Sequence, residues 1–128
     1  MEQQSLRLLY VDDNDGLREV MAEEFRALGI EVFLAGGAIE AIQILKSETI
    51  DGVLTDMKMP DIDGVGLKKL AESELARVPK VWAVYSAYND RAIKEYKNLG
   101  FGEVFFKPLK PKLITHFFKT KLEEAGAH

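Results

Sequence analysis

The chain reads as an α/β protein, a doubly wound parallel sheet built from five βα units, and two observations lead there. Five short apolar runs alternate with five stripes of helical period along 128 residues, with no linker or low-complexity stretch between them. Each apolar run stops at a polar or turn-forming cluster, and the connections are too short and regular for a domain boundary. Strand-then-helix units repeated in this way call for parallel strands joined by right-handed crossovers, with helices on both faces. One domain over residues 1–128 is expected, long enough to bury a core without staples.

The first strand is Leu6-Arg7-Leu8-Leu9-Tyr10-Val11, broken by the turn- and cap-prone run Asp12-Asp13-Asn14-Asp15. A helix follows with Leu17, Val20, Met21, Phe25 and Leu28 on one stripe, Asn14 or Asp15 as its cap and Gly29 closing it. Ile30–Ala35 is the second strand, stopped by Gly36-Gly37, and Ala38, Ala41, Ile42 and Leu45 mark the second helix. Val53-Leu54 form a third strand that ends at Asp56, before a loop carrying Pro60 and Gly64. Leu67, Leu70, Ala71 and Leu75 continue as a third helix, which Pro79 prevents from extending. Val81–Tyr85 is a fourth strand stopping at Ser86, and Ala92, Ile93, Tyr96 and Leu99 give a fourth helix closed by Gly100. Glu103–Phe106 is the fifth strand, ending at Lys107-Pro108. Pro111 suits the first turn of a last helix with Leu113, Ile114, Phe117, Phe118 and Leu122 on its stripe.

In a parallel sheet all carboxyl ends lie along one edge, and ligands bind outside that edge. Strand one ends in Asp12-Asp13, strand three in Asp56, strand four in Ser86 and strand five in Lys107. Each residue alone is an ordinary cap, turn former or surface charge; as a set they bring three carboxylates, a hydroxyl and an ammonium to one edge. Clustered carboxylates repel one another unless a cation sits among them, and hard oxygen ligands at this density suit Mg²⁺. A carboxylate beside that metal can act as a nucleophile and form an aspartyl-phosphate. Lys107 and Ser86 could then satisfy the phosphoryl oxygens, the first by charge and the second by hydrogen bonding.

These motifs resemble the receiver domain of two-component response regulators. The matching residues are Val11-Asp12-Asp13, Asp56-Met57-Lys58-Met59-Pro60 through Gly64, Ser86-Ala87 and Lys107-Pro108, in that order and spacing. The resemblance spans Leu6 to the last helix and implies a flavodoxin-like (βα)5 fold with strand order 2-1-3-4-5. It implies that Asp56 is the phosphoacceptor, taking its phosphoryl group from a sensor histidine kinase or a phosphotransfer protein. By the same likeness Asp13, Asp56 and the backbone carbonyl of Lys58 would ligate Mg²⁺ (Mn²⁺ can substitute), with Asp12 acting through water. Ser86 would be the switch hydroxyl, Lys107 the phosphate-binding cation, and the Lys107–Pro108 bond cis. Such a domain signals rather than turning over a substrate, although it promotes its own aspartyl phosphorylation and dephosphorylation. Lys58 and Tyr88 would flank the phosphoryl group and shield it from water.

One position departs from the family pattern: Val104 stands where a Tyr or Phe is usual, three residues before Lys107. Phe105 projects to the other side of the strand and Phe106 lies two residues on, so neither simply replaces that ring. A receiver-like module that binds a partner without being phosphorylated is the alternative this departure leaves open. A haloacid-dehalogenase-type phosphatase is suggested only by Asp61-Ile62-Asp63-Gly64, which follows Pro60 within a loop instead of directly following a strand. An EF-hand is excluded, because a loop with Gly16 at its sixth position would begin at Val11.

Composition bounds the partners. The absence of cysteine, of a signal peptide and of any apolar run near the ~20 residues of a membrane span makes a cytoplasmic location, away from membranes, the expectation. Net charge is −4, but residues 1–85 carry 9 Lys/Arg against 16 Asp/Glu, while residues 86–128 carry 8 against 5. The basic residues are not interleaved with aromatics in a nucleic-acid pattern, so no direct nucleic-acid binding is expected. The resemblance implies a downstream effector or a homodimer on the face of helix four, strand five and helix five, where Arg91, Lys94, Lys97, Lys110, Lys112 and Lys119 concentrate.

Overall fold

A computed structural model describes residues 5–87 and 93–126. The elements run β1 (Arg7–Val11), α1 (Asp15–Ala27), β2 (Glu31–Ala35), α2 (Ala38–Ser47), β3 (Gly52–Thr55), α3 (Gly64–Glu74), β4 (Val81–Ser86), α4 (Ile93–Asn98), β5 (Glu103–Phe106) and α5 (Pro111–Glu124). The five strands form one parallel sheet in the order β2-β1-β3-β4-β5. This is the expected flavodoxin-like arrangement.

Strand alternation divides the core into two layers. Leu9, Val11, Val53, Trp82, Val84 and Val104 face one side, where Ala41, Ile42 and Leu45 of α2, Leu67 and Ala71 of α3 and Tyr96 of α4 cover them. Leu8, Tyr10, Leu54, Ala83 and Tyr85 face the other, under Met21 and Phe25 of α1 and Ile114 and Phe118 of α5. Strand order reverses between β1 and β3, the chain having moved outward to β2 before returning. That switch point opens a crevice between the ends of the two strands.

Three stripe assignments change, one of them Ile93, which is exposed on α4 while Tyr96 is buried. Val20 and Leu28 are exposed, because the buried line of α1 runs through Met21, Ala22 and Phe25, one position aside. Leu113 is exposed for the same reason, with Ile114, Thr115 and Phe118 turned inward. The adjacent Phe117 is half-buried, edge-on to Phe105 with ring centroids 5.5 Å apart, so a wide buried stripe accommodates both aromatic residues. Ala92 of the fourth stripe lies outside the described residues. No helix among the described residues is long and apolar enough to cross a membrane.

Candidate functional site

Backbone register brings the acidic residues together. Val11 pairs with Thr55 at the ends of β1 and β3, so Asp12 and Asp56 emerge side by side at the switch point. The backbone finishes the alignment: Asp56 N–H donates to the Val11 carbonyl at 2.8 Å and Asp12 N–H to the Ala35 carbonyl at 3.0 Å. Across the sheet, Lys107 N–H donates to the Ser86 carbonyl at 2.9 Å, which fixes where the lysine leaves β5. The Lys107–Pro108 bond is cis.

Lys107 Nζ then reaches back across the crevice, lying 2.7 Å from Asp12 Oδ2 and 3.2 Å from Asp56 Oδ2. Asp12 and Asp56 are buried while Asp13 is exposed, and all three offer carboxylate oxygens within 4.8 Å of one another. This donor set fits a hard divalent cation: oxygen atoms only, converging, with one carboxylate open to solvent. Ser86 ends β4 at the same edge, with its residue almost fully buried. Lys58 is exposed in the loop after Asp56. Tyr88 lies outside the described residues.

The β3–α3 loop is held at both ends. Asp56 Oδ1 accepts Met57 N–H at 2.8 Å, and the Met57 carbonyl accepts Gly64 N–H at 2.9 Å. A Cβ at Gly64 would stand 2.8 Å from the Asp56 carbonyl oxygen, so glycine is what lets α3 begin this close to the acidic residue. Further along, the Asp61 carboxylate accepts the N–H groups of Ala38 and Ile39 at 3.2 and 3.0 Å, capping α2 from another loop. The N-cap residue of α2 itself is Gly37, which has no side chain to do this. Asp63 caps α3 through Gly66 N–H. Both acids of the Asp61-Ile62-Asp63-Gly64 run are thus helix caps, the ordinary reading of the segment that suggested a phosphatase.

Electrostatics follow the burial. Burial raises the Asp56 carboxyl above its ordinary pKa; Lys107 pulls it back and Asp12 adds to the rise. Burial opposes the Lys107 ammonium, but the hydrogen bond and charge of Asp12, with Asp56 behind it, outweigh this and raise its pKa. Burial, then the Asp12 charge, raises the Tyr10 phenol far above its usual value, so that it is a standing donor.

Two contributors were not singled out from the sequence. Tyr10 donates its hydroxyl to Asp12 Oδ2 at 2.8 Å, and Arg18 Nη1 donates to the Asp12 carbonyl at 2.7 Å. Tyr10 could have been found, since residues two apart on a strand share a face. Arg18 could have been suspected from its place one helical turn beyond Asp15, whose carboxylate it also meets at 2.7 Å.

At the position of the missing aromatic, Val104 is buried beside Val84 and Trp82, with Tyr96 and Phe101 in the same cluster. Phe106 is exposed and Phe105 belongs to the opposite layer.

Known proteins share this fold. The family model described as the response regulator receiver domain matches residues 8–119. The sporulation initiation phosphotransferase F of Bacillus subtilis is 35% identical over 105 residues, covering 80% of this chain and 82% of its own. The osmosensing histidine protein kinase SLN1 of Saccharomyces cerevisiae is 31% identical over 118 residues, covering 87% of this chain and 10% of that much longer protein. A CheY-like receiver domain protein from Methanospirillum hungatei superposes with a TM-score of 0.80 over 94% of this chain and 96% of its own, at 24% identity, a likeness of fold. A family match that runs from the first strand into the last helix, over the same sheet order, makes this chain a member of the response regulator receiver domain family of two-component signalling.

Proposed function

We propose that Asp56 accepts a phosphoryl group from a phosphohistidine, and that this is the signal the domain carries. The observation that supports it most is the convergence of Asp12, Asp13 and Asp56 within 4.8 Å, with Lys107 bridging Asp12 and Asp56. An Asp56 oxygen attacks phosphorus in line; the bond to the donor imidazole nitrogen breaks and its electron pair returns to the ring. Lys107, already 3.2 Å from Asp56 Oδ2, turns its charge to the phosphoryl oxygens, and Ser86 supplies a hydroxyl from the end of β4. Asp13, Asp56 and the Lys58 carbonyl would hold Mg²⁺, with Asp12 through water, and the metal would neutralise phosphoryl charge. Lys58 and Tyr88 shield the product from hydrolysis.

The donor is a sensor histidine kinase or a phosphotransfer protein, and the domain works in the cytoplasm. The output passes through α4, β5 and α5, each of which presents one exposed apolar residue: Ile93, Phe106 and Leu113. An effector protein or a second copy of the chain would cover them, beside the exposed Lys110, Lys112 and Lys119. The 128 residues act as a single receiver unit.

Incubation with Mg²⁺ and acetyl phosphate, followed by intact mass measurement, tests the assignment. One added phosphoryl group in the wild type and none in Asp56→Asn is the expected result. Continuous phosphate release from varied esters would indicate a phosphatase, and an unchanged mass a binding module that is not phosphorylated.

A further inference from the structure

The two carboxylate oxygens of the fully buried Asp12 are held differently. Oδ1 accepts Asn14 N–H at 2.9 Å, whereas Oδ2 takes two side-chain donors, the Tyr10 hydroxyl at 2.8 Å and Lys107 Nζ at 2.7 Å. Lys107 is shared with Asp56 Oδ2, and its shorter contact is the one to Asp12. To follow a phosphoryl group forming on Asp56 the ammonium has to shift along the crevice, and the shorter contact to Asp12 is the one that opposes that shift.

Tyr10 is placed to make this possible. Its ring is fully buried, 6.2 Å from the ring centroids of both Phe25 and Tyr85, so the hydroxyl cannot swing away without disturbing the core. A buried carboxylate oxygen that loses its last donor carries a full desolvation penalty, larger for a charged group than for a neutral one. With the phenol in place, Asp12 Oδ2 keeps a donor when Lys107 turns. Without it, the lysine is the only side-chain donor on that oxygen among the described residues and is held there.

We infer that Tyr10 is a positioning residue for phosphoryl transfer, its hydroxyl holding Asp12 Oδ2 so that Lys107 is released toward the group forming on Asp56. The inference rests on the reading of Asp56 as phosphoacceptor. Tyr10→Phe keeps the ring and deletes the donor. With acetyl phosphate and saturating Mg²⁺, its modification rate should fall about tenfold, the scale of one hydrogen bond to a charged group. In a Lys107→Ala background the same change should slow the reaction less than about twofold, because no ammonium remains to be released.

A second measurement uses the unaltered protein. The hydroxyl proton of Tyr10, buried and hydrogen-bonded, should give a slowly exchanging NMR signal that moves downfield on adding Mg²⁺ and beryllofluoride, as Lys107 withdraws and no longer competes for Oδ2. Equal rates for wild type and Tyr10→Phe, equal slowing in the Lys107→Ala background, or an unmoved hydroxyl signal would each overturn this inference alone. A wild-type chain that takes up no phosphoryl group would overturn the reading of Asp56, and this inference with it.

Discussion

Asp56 costs the fold stability, because its carboxylate is buried. Burial dominates its raised pKa, and the Asp12 charge adds to it despite Lys107 nearby. A carboxyl whose folded-state pKa is raised binds more protons folded than unfolded between the two values. Stability of the metal-free protein therefore falls as pH rises from the ordinary aspartate value through the raised one. Asp56→Asn removes that charge and should stabilise the metal-free protein at neutral pH by roughly 1 kcal/mol, about 4 °C in Tm at this size. The gain should shrink toward zero once the pH drops below the ordinary aspartate range, where both forms are uncharged at this position. Thermal melts of the two proteins across that interval, in chelator, measure it; a gain that persists at low pH would contradict the electrostatic cause. The acidic residue itself was legible, because a polar side chain cutting off an apolar run marks a strand end. Its Tyr10 support was harder to see, because a tyrosine inside an apolar run reads equally well as core.

Elements meet through contacts that residue type alone does not reveal. Asp61 on the β3–α3 loop caps α2, and the N–H of Ile39 leads the contacts that hold its carboxyl below the ordinary value. A lowered pKa contributes stability that is present above the unfolded value and lost as pH falls through the folded one. Asp61→Ala should cost about 0.5–1 kcal/mol near neutrality, the low end for a solvent-exposed cap, with the loss fading in acid. Urea midpoints at neutral and acidic pH test this, and an equal loss at both would mean the charge is irrelevant. At the opposite edge, a Cβ on Gly52 would sit 2.6 and 2.7 Å from two ring atoms of the fully buried Phe118. Gly52→Ala should therefore destabilise by about 1–3 kcal/mol, and Phe118→Leu should recover part of that loss by making room. Equal and additive losses in the double variant would show that the contact is not the cause. Strand and helix order could be read from periodicity, since apolar period and turn residues are local. Val20 and Leu113 could not be placed correctly, because one helical position is about 100° of rotation and either neighbour fits a loosely drawn stripe. The trans cap by Asp61 depends on a 22-residue separation to Ile39 that only the folded chain closes.

On the scale of the whole molecule, the sheet order turns scattered acids into a charged cluster that the folded state alone contains. The unfolded chain separates Asp12–Asp13 from Asp56 by more than forty residues, so a divalent cation that needs all three binds the native state almost exclusively. Binding to the native state only raises stability by mass action, about 2.7 kcal/mol when the free ion is at 100 times its dissociation constant. For a chain of this size that is roughly 10 °C in Tm. Mg²⁺ should therefore raise the midpoint of the wild type in a concentration-dependent way, against a monovalent salt control that screens charge without coordinating. Asp13→Asn removes the exposed carboxylate, which holds little of the metal-free fold together, and should abolish most of the increment while leaving the metal-free midpoint within about 0.5 kcal/mol of wild type. Lys107→Ala should do the reverse. It strips the resident cation from Asp12 and Asp56, lowering the metal-free midpoint, and should enlarge the Mg²⁺ increment because the metal then relieves repulsion that the lysine no longer offsets. Equal increments in all three proteins would mean that the ion binds elsewhere, and that the acids gathered by the strand order are not its site.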